Sequence, residues 1–259
     1  MKEALQVLQT LKKYGYEAYL VGGYPRDHYL GFESEDFDIC TRATPEEIAR
    51  IYPEADLSFA SYGAVRLKIH YNHYEITTFR KEYDYEHHRI PRRIEFVDTL
   101  EEDLMRRDFI MNTLCIDWDG NYVDLLGARN DIDHKIIRTV GNSIDRLEED
   151  ALRILRAIRF ASTLNFKLDY ELEEAIKKKK DLLKTLSYER KREELDQIFS
   201  TEKGVSLLLH YGLDGPLELP RLANLQTKGL WNIWRELDVA DRYPFSKKEQ
   251  NYLKQLDQD

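Results

Sequence analysis

Asp36 and Asp38 stand two residues apart in DFDIC, residues 36–40. On a strand, side chains at i and i+2 share a face, so both carboxylates point one way while Phe37 and Ile39 point to a core. Two carboxylates side by side repel, and hard oxygen donors of this kind suit Mg²⁺. A solvated strand face also carries such pairs, so the pair alone decides nothing. Upstream, YLVGGYPRD at 19–27 runs from an apolar strand pattern through Gly22-Gly23 into a helix start. That turn sets backbone N–H groups beside Arg26, a combination that takes an anion. A plain strand-to-helix turn needs glycine too. Here, however, the anion grip and the carboxylate pair lie 10 to 15 residues apart on neighbouring segments. A triphosphate with its metal ion needs both.

Two further groups have the right chemistry. Glu75, in YEITTF at 74–79, supplies a third carboxylate if its strand lies beside DFDIC; otherwise it is a solvated strand residue. In EEDALRILRAIRF at 148–160, Leu152, Leu155 and Ile158 form an apolar helical stripe, and Asp150, Arg153, Arg156 and Arg159 form a charged one. A solvated face explains the second stripe. So does a nucleotide, with guanidinium donors toward base and phosphates and a carboxylate toward an amino group. His70, His73, His87 and His88 lack zinc spacing and read as surface residues.

The elements that must hold these residues follow from local pattern. Residues 1–14 read as a helix closed by Gly15, 17–23 as a strand, and YPRDHYLG as a helix with Pro25 early, where its missing N–H costs little. TPEEIARIY has the capping box of Thr44 and Glu47. Residues 64–71 and 74–79 read as a hairpin across Asn72-His73. RKEYDYEHHRIPRR, 80–93, is polar and aperiodic and reads as a mobile loop. LEEDLMRRDFIMNTLCID reads as a helix leading into a strand. Near residue 140 strand signals stop, and three helices follow in SIDRLEEDALRILRAIRFASTLNF, DYELEEAIKKKKDLLKTL and YERKREELDQIFST. The fold class is α+β: a domain with a mixed β-sheet and flanking helices over 1–139, then an all-helical part.

Composition narrows the function. The chain has 259 residues, 42% hydrophobic and 34% charged, with a formal net charge of −9. No run approaches the roughly 20 apolar residues of a membrane span. Leucines at 5, 8 and 11 are helical spacing broken by charges, unlike a signal peptide. Cys40 and Cys115 sit in apolar segments and read as buried thiols of a cytoplasmic protein. A uniformly basic nucleic-acid binder is excluded, but residues 151–192 carry 12 Lys and Arg against 6 Asp and Glu. KKKK at 177–180 reads as solvated surface, and RKR at 190–192 as the better RNA contact, which predicts salt-sensitive binding.

LVGGYPRD with DFDIC resembles the class II tRNA nucleotidyltransferases, the CCA-adding enzymes and their poly(A) polymerase relatives. RRDFIMN at 106–112 is similar to that family's ribose motif, EDALR at 149–153 to its nucleotide-selecting motif, and SYERKREEL at 187–195 to its neck. The likeness runs from about residue 17 to 200. It implies a nucleotidyltransferase head over 1–139, a helical neck over 140–200, and a short body over 201–259 in which the tail that holds the tRNA elbow is reduced or absent. It implies that Asp36 and Asp38 hold Mg²⁺, that Gly22, Gly23 and Arg26 bind the triphosphate, and that Arg107, Asp108 and Asn112 sit near the ribose. Asp150 and Arg153 would read the base, with Arg156 and Arg159 supporting the nucleotide. The loop at 80–93 matches one associated with the switch from C to A addition. The implied partners are CTP, ATP and a tRNA 3′ end lacking CCA. Enzymes that add only the final A, poly(A) polymerases and an inactive RNA-binding module are the alternatives. The Asp36 and Asp38 pair speaks against the last, since binding alone needs no carboxylates facing a phosphate.

Overall fold

Six short strands pair into one mixed sheet in the computed structural model, which describes residues 1–86, 88 and 90–256. The chain divides into two compact units. The first takes in Met1–Asp84 and Pro91–Gly141, the second Tyr85–Ile90 and the chain from Asn142 on. Residues 140–200 and 201–259, expected as separate neck and body, both fall in the second unit apart from the two residues before Asn142.

The first unit runs α1 (Lys2–Lys13), β1 (Ala18–Val21), α2 (Gly23–Tyr29), β2 (Phe37–Thr41), α3 (Pro45–Ile51), β3 (Ala64–Ile69) and β4 (Asn72–Thr78). Next come the paired strands β5 (Arg80–Glu86) and β6 (Ile90–Phe96), then α4 (Leu100–Leu104), β7 (Cys115–Ile116), β8 (Tyr122–Val123), α5 (Ala128–Asp133) and β9 (Ile136–Ile137). Sheet order is β3-β4-β2-β1-β7-β8, with β2 and β4 parallel and the other neighbours antiparallel. Leu20, Phe37, Ile39, Tyr74, Ile76, Val65 and Leu67 bury one face against Ala4, Val7, Leu8 and Leu11 of α1 and Ile48 of α3. The opposite face buries Val21, Cys40 and Cys115 beneath Leu100 and Leu104 of α4. Burial pushes the Cys40 thiol pKa up, and both cysteines are free.

Local chemistry sets the boundaries. Thr44 and Glu47 form the expected capping box. The β3–β4 turn lies at His70-Tyr71, two residues before the expected place, because Ile69 pairs with Asn72. His70 takes φ +50° there and is held through Nδ1 to Glu3 Oε1 at 2.6 Å. A two-residue shift leaves every side chain on its original face. The expected loop at 80–93 is largely strand. Its root is held by charge pairing, which hydrophobic periodicity cannot register: Arg80 and Arg106 both reach Glu82 Oε1, at 2.7 and 3.2 Å, and Lys81 pairs with Glu102. His87 lies outside the described residues. The helix expected from residue 100 stops at Leu104, and a single 3₁₀ turn, Ile110–Asn112, precedes β7.

The second unit contains α6 (Ser143–Glu149), α7 (Leu152–Leu164), β10 (Lys167–Leu168), α8 (Tyr170–Lys179), α9 (Tyr188–Phe199), α10 (Gly204–His210), α11 (Leu230–Leu237) and α12 (Lys247–Leu256). The α+β reading therefore holds, helical from Asn142 on save for β10. The long helix expected at 143–166 is broken. Asp150 is extended, at φ −138° and ψ 101°, and its Oδ1 accepts from Leu152 N at 3.0 Å, which ends one helix and starts the next. Gly204 lets α10 begin against α9, since a Cβ there would collide with the Ile198 carbonyl.

Candidate active site

β1 delivers Gly22 directly beside Asp38, because Val21 and Asp38 are register partners. Gly22 adopts φ +82° and ψ −133°, which a side chain disfavours. A Cβ on it would also lie 3.1 Å from Asp38 Oδ2. The glycine is thus required twice, by the turn and by the carboxylate. Gly23 opens α2, whose first-turn N–H groups have no intrahelical acceptor. Asp38 is half-buried on β2. Asp36 is exposed and precedes the strand, which begins at Phe37, so the pleat alone does not align the two carboxylates. Glu75 does lie on the neighbouring strand, as Asp38's register partner on parallel β4. It pairs weakly with Arg66 at 3.8 Å, and among the described residues no group of three or more acidic, His or Cys side chains is ready to hold a metal.

Arg26 is 5% exposed and part of a chain of polar contacts. Its Nε donates to Asp27 Oδ1 at 2.8 Å and its Nη1 to Asn112 Oδ1 at 2.5 Å. Asn112 Nδ2 donates to Asp108 Oδ1 at 3.0 Å, which also accepts from Phe109 N at 2.7 Å. The residue expected at the triphosphate is thereby tied to two expected at the ribose. Arg107 Nη2 reaches Asp103 Oδ2 at 2.9 Å, and Arg106 Nε reaches Asp103 Oδ1 at 2.9 Å. Burial would raise the pKa of Asp103, but the two guanidiniums hold it below the usual carboxylate range. Burial likewise opposes charge on Arg107, and Asp103 reverses that, so its pKa lies above the usual arginine value.

In the second unit, Asp150 and Arg153 are not one turn apart on a single helix, as the charged stripe implied. Asp150 occupies the break and Arg153 the first turn of α7. Arg153 Nη1 donates to the Arg146 carbonyl at 2.9 Å and to Glu149 Oε2 at 3.0 Å. Arg159 Nε meets Glu194 Oε2 at 2.9 Å and Arg156 approaches Glu194 Oε1 at 3.9 Å, while both guanidiniums lie over Phe160. Of the RKR segment only Arg190 is exposed. Lys191 is 1% and Arg192 9% exposed, Arg192 is paired with Glu249 at 2.5 Å, and Arg190 is paired with Glu193.

Two family models match the chain: the poly A polymerase head domain over residues 18–138, and the probable RNA and SrmB-binding site of polymerase A over residues 165–220. The CCA-adding enzyme of Geobacillus sp. (strain WCH70) is 41% identical over 244 residues, 92% of this chain and 60% of that protein. The chain belongs to the tRNA nucleotidyltransferase/poly(A) polymerase family. The CCA-adding enzyme of Bacillus subtilis (strain 168) is 44% identical over 196 residues, 76% of this chain and 49% of the relative. The crystal structure of the Bacillus stearothermophilus CCA-adding enzyme in complex with CTP superposes with a TM-score of 0.77 at 39% identity, covering 83% of this chain and 53% of that one. The chain thus spans about half to three-fifths of the length of these relatives. Nucleotidyltransferases of this family normally work with a divalent metal.

Within that family assignment, several polar residues of the two units escaped the sequence reading. Asp103 lies in an EED run that looks like a solvated helix start, although its spacing of three and four to Arg106 and Arg107 was a usable signal. Glu82 has a near partner in Arg80, but its link to Arg106 spans 24 residues and the partners of Glu194 lie 35 or more away, so those links have no local sign.

Proposed function

We propose that this chain adds CCA to the 3′ end of tRNA, using CTP and ATP, as a Mg²⁺-dependent nucleotidyltransferase of the cytoplasm. Residues 1–139 serve as the catalytic head, 140–200 as the nucleotide-selecting neck and 201–259 as a short body. The observation that carries the reading is the carboxylate of Asp38 held against the side-chain-free Gly22 at the start of a glycine turn. With no side chain on Gly22 the Asp38 carboxylate stays accessible at that turn, and a carboxylate oxygen is a donor that fits a hard divalent ion.

In the reaction, the 3′-hydroxyl of the RNA gives up its proton to solvent and its oxygen forms a bond to the α-phosphorus. The bond from the α-phosphorus to the bridging oxygen breaks, and pyrophosphate leaves with that electron pair. Asp36 and Asp38 would hold Mg²⁺, which would supply Lewis acidity toward the hydroxyl and the leaving group. Glu75 flanks the pair. Gly22, Gly23 and Arg26 grip the triphosphate. Asn112 fixes Asp108, whose carboxylate accepts from a ribose 2′-hydroxyl and so favours ribonucleotides, and Arg107 stands beside it. Asp150 and Arg153 read the base, supported by Arg156 and Arg159. The test is pyrophosphate release from CTP on a tRNA lacking CCA. Asp36→Ala and Asp38→Ala should each abolish it, as should chelation, with tRNA affinity nearly unchanged. Substantial turnover in either variant contradicts the assignment.

A further inference from the structure

Lys191 and Arg192 of the RKR segment are buried and only Arg190 is exposed, so further cations must meet an RNA backbone. The face of the sheet that carries Asp38 continues outward without a cover. Asp38 pairs with Glu75, and Glu75 with Arg66, so the three form one row across β2, β4 and β3. In the adjacent row Lys68 on β3 pairs with His73 on β4, and both are exposed. On β3 the buried Val65 and Leu67 alternate with exposed Arg66 and Lys68, which fixes both cations on the Asp38 face. Strands are spaced by about 4.8 Å, so Arg66 stands roughly 10 Å from Asp38 along the sheet.

Arg66 is built for a second partner. Its side chain is 57% exposed and its pair with Glu75, itself 50% exposed, is long at 3.8 Å. Such a pair contributes little and is readily exchanged for a phosphate. The Phe59 ring lies 4.3 Å from the guanidinium, and Phe59 is 39% exposed. Tyr62 and Phe96 are exposed nearby, with Phe96 seated against Gly63. Cations interleaved with aromatic rings are what a single-stranded nucleic acid takes, phosphates on the cations and bases on the rings.

We propose that the exposed face of β3 and β4, with Arg66, Lys68 and the stacked Phe59, seats the RNA strand immediately before its 3′ end. The occupant is the acceptor strand of the RNA, since the row runs straight from the carboxylates that would receive its terminal hydroxyl. This rests on the reading of the chain as an enzyme that extends RNA. The glutamate in the row then has a second use: as a phosphate draws Arg66 away, Glu75 is left facing Asp38.

The test is equilibrium binding of a tRNA lacking CCA to the full chain across a range of salt, compared with the Arg66→Gln/Lys68→Gln variant. Each lost phosphate contact lowers the slope of log K against log salt by about 0.7–0.9, so the double variant should lower it by about 1.5. Affinity at low salt should fall on the order of tenfold or more. Arg66→Lys/Lys68→Arg should keep the slope, and Phe59→Leu should weaken binding without altering it. All three sites are exposed, so the fold should survive. CTP affinity should stay within about twofold. An unchanged slope in the Gln variant overturns the proposal, and so does parallel loss of CTP affinity, which would assign the row to the nucleotide. Absence of nucleotide transfer by the unaltered protein would instead count against the enzymatic reading, and the slope would still be read from binding alone.

Discussion

At Asp150 the proposed function asks one carboxylate to serve two purposes. Its Oδ1 takes the Leu152 N–H that begins α7, which fixes the side chain in place at a break between helices. Arg153 is fixed by the Arg146 carbonyl and Glu149. A carboxylate only accepts and a guanidinium only donates. Cytosine and adenine each offer an amino group beside an acceptor ring nitrogen, whereas uracil and guanine offer a carbonyl beside an N–H. Under the proposed function the pair would therefore favour C and A without a template. A correct bidentate pairing is worth about 1–3 kcal/mol. Asp150→Ala should thus lower kcat/KM for CTP and ATP and narrow their advantage over UTP and GTP by about tenfold to a hundredfold, with Mg²⁺ dependence retained. Wild-type ratios for all four nucleotides in the variant would leave Asp150 and Arg153, both buried, with a structural role at the helix break only. At this scale the sequence was readable where chemistry is local. Asp38, Gly22 and the Thr44 cap declare themselves through neighbours within a few residues. The link from Arg26 to Asn112 spans 86 positions and has no local sign.

At the scale of elements, periodicity located those with a buried stripe, such as α1, α7 and the alternating β3 and β4. It missed β5 and β6: the side chains of β5 are mostly half-exposed, and the two strands are held by ion pairs and by Arg93 over Tyr83. It also ran α6 and α7 together, because the apolar spacing continues across a break that only Asp150 announces. The strand character of 80–96 sharpens the loop prediction. Glu82 braces Arg106, and Arg106 shares Asp103 with Arg107, so a deletion must spare Glu82 to leave the ribose side undisturbed. Removal of residues 84–91 should leave CC addition largely intact and impair the final A, because reshaping a pocket is separable from the transfer chemistry. Equal loss of both steps, measured by resolving products one nucleotide at a time, would make the hairpin a structural brace only.

At the scale of the whole chain, charge was legible as a total and misleading as a distribution. Two of the three cations of 190–192 are buried inside the second unit, where Arg192 joins α9 to Glu249 of α12 and also reaches the Pro244 carbonyl. The hydrogen bond from Arg192 lowers the Glu249 pKa to about 2 from its ordinary 4.5. A depressed carboxylate contributes stability above its unfolded pKa and loses it as pH falls through the folded one. The contribution of this pair should therefore be complete above about pH 4.5 and fade toward pH 2, amounting to about 1 kcal/mol after allowance for solvent. Glu249→Gln should remove that part of the acid dependence, read as amide exchange protection of α12 at pH 3 and pH 6. Equal protection of both proteins at both pH values would show that the pair does not hold the helix.

Whether these 259 residues themselves build the CCA end can be read directly. The direct measurement supplies the protein and Mg²⁺ with a tRNA ending before CCA, gives CTP alone, ATP alone or both, and sequences the extended 3′ ends. The account predicts CC from CTP alone, little or no addition from ATP alone, and CCA from the two together, all lost with Asp38→Ala. Addition of A alone to that tRNA, runs of A without limit, or no extension in any mixture would contradict it.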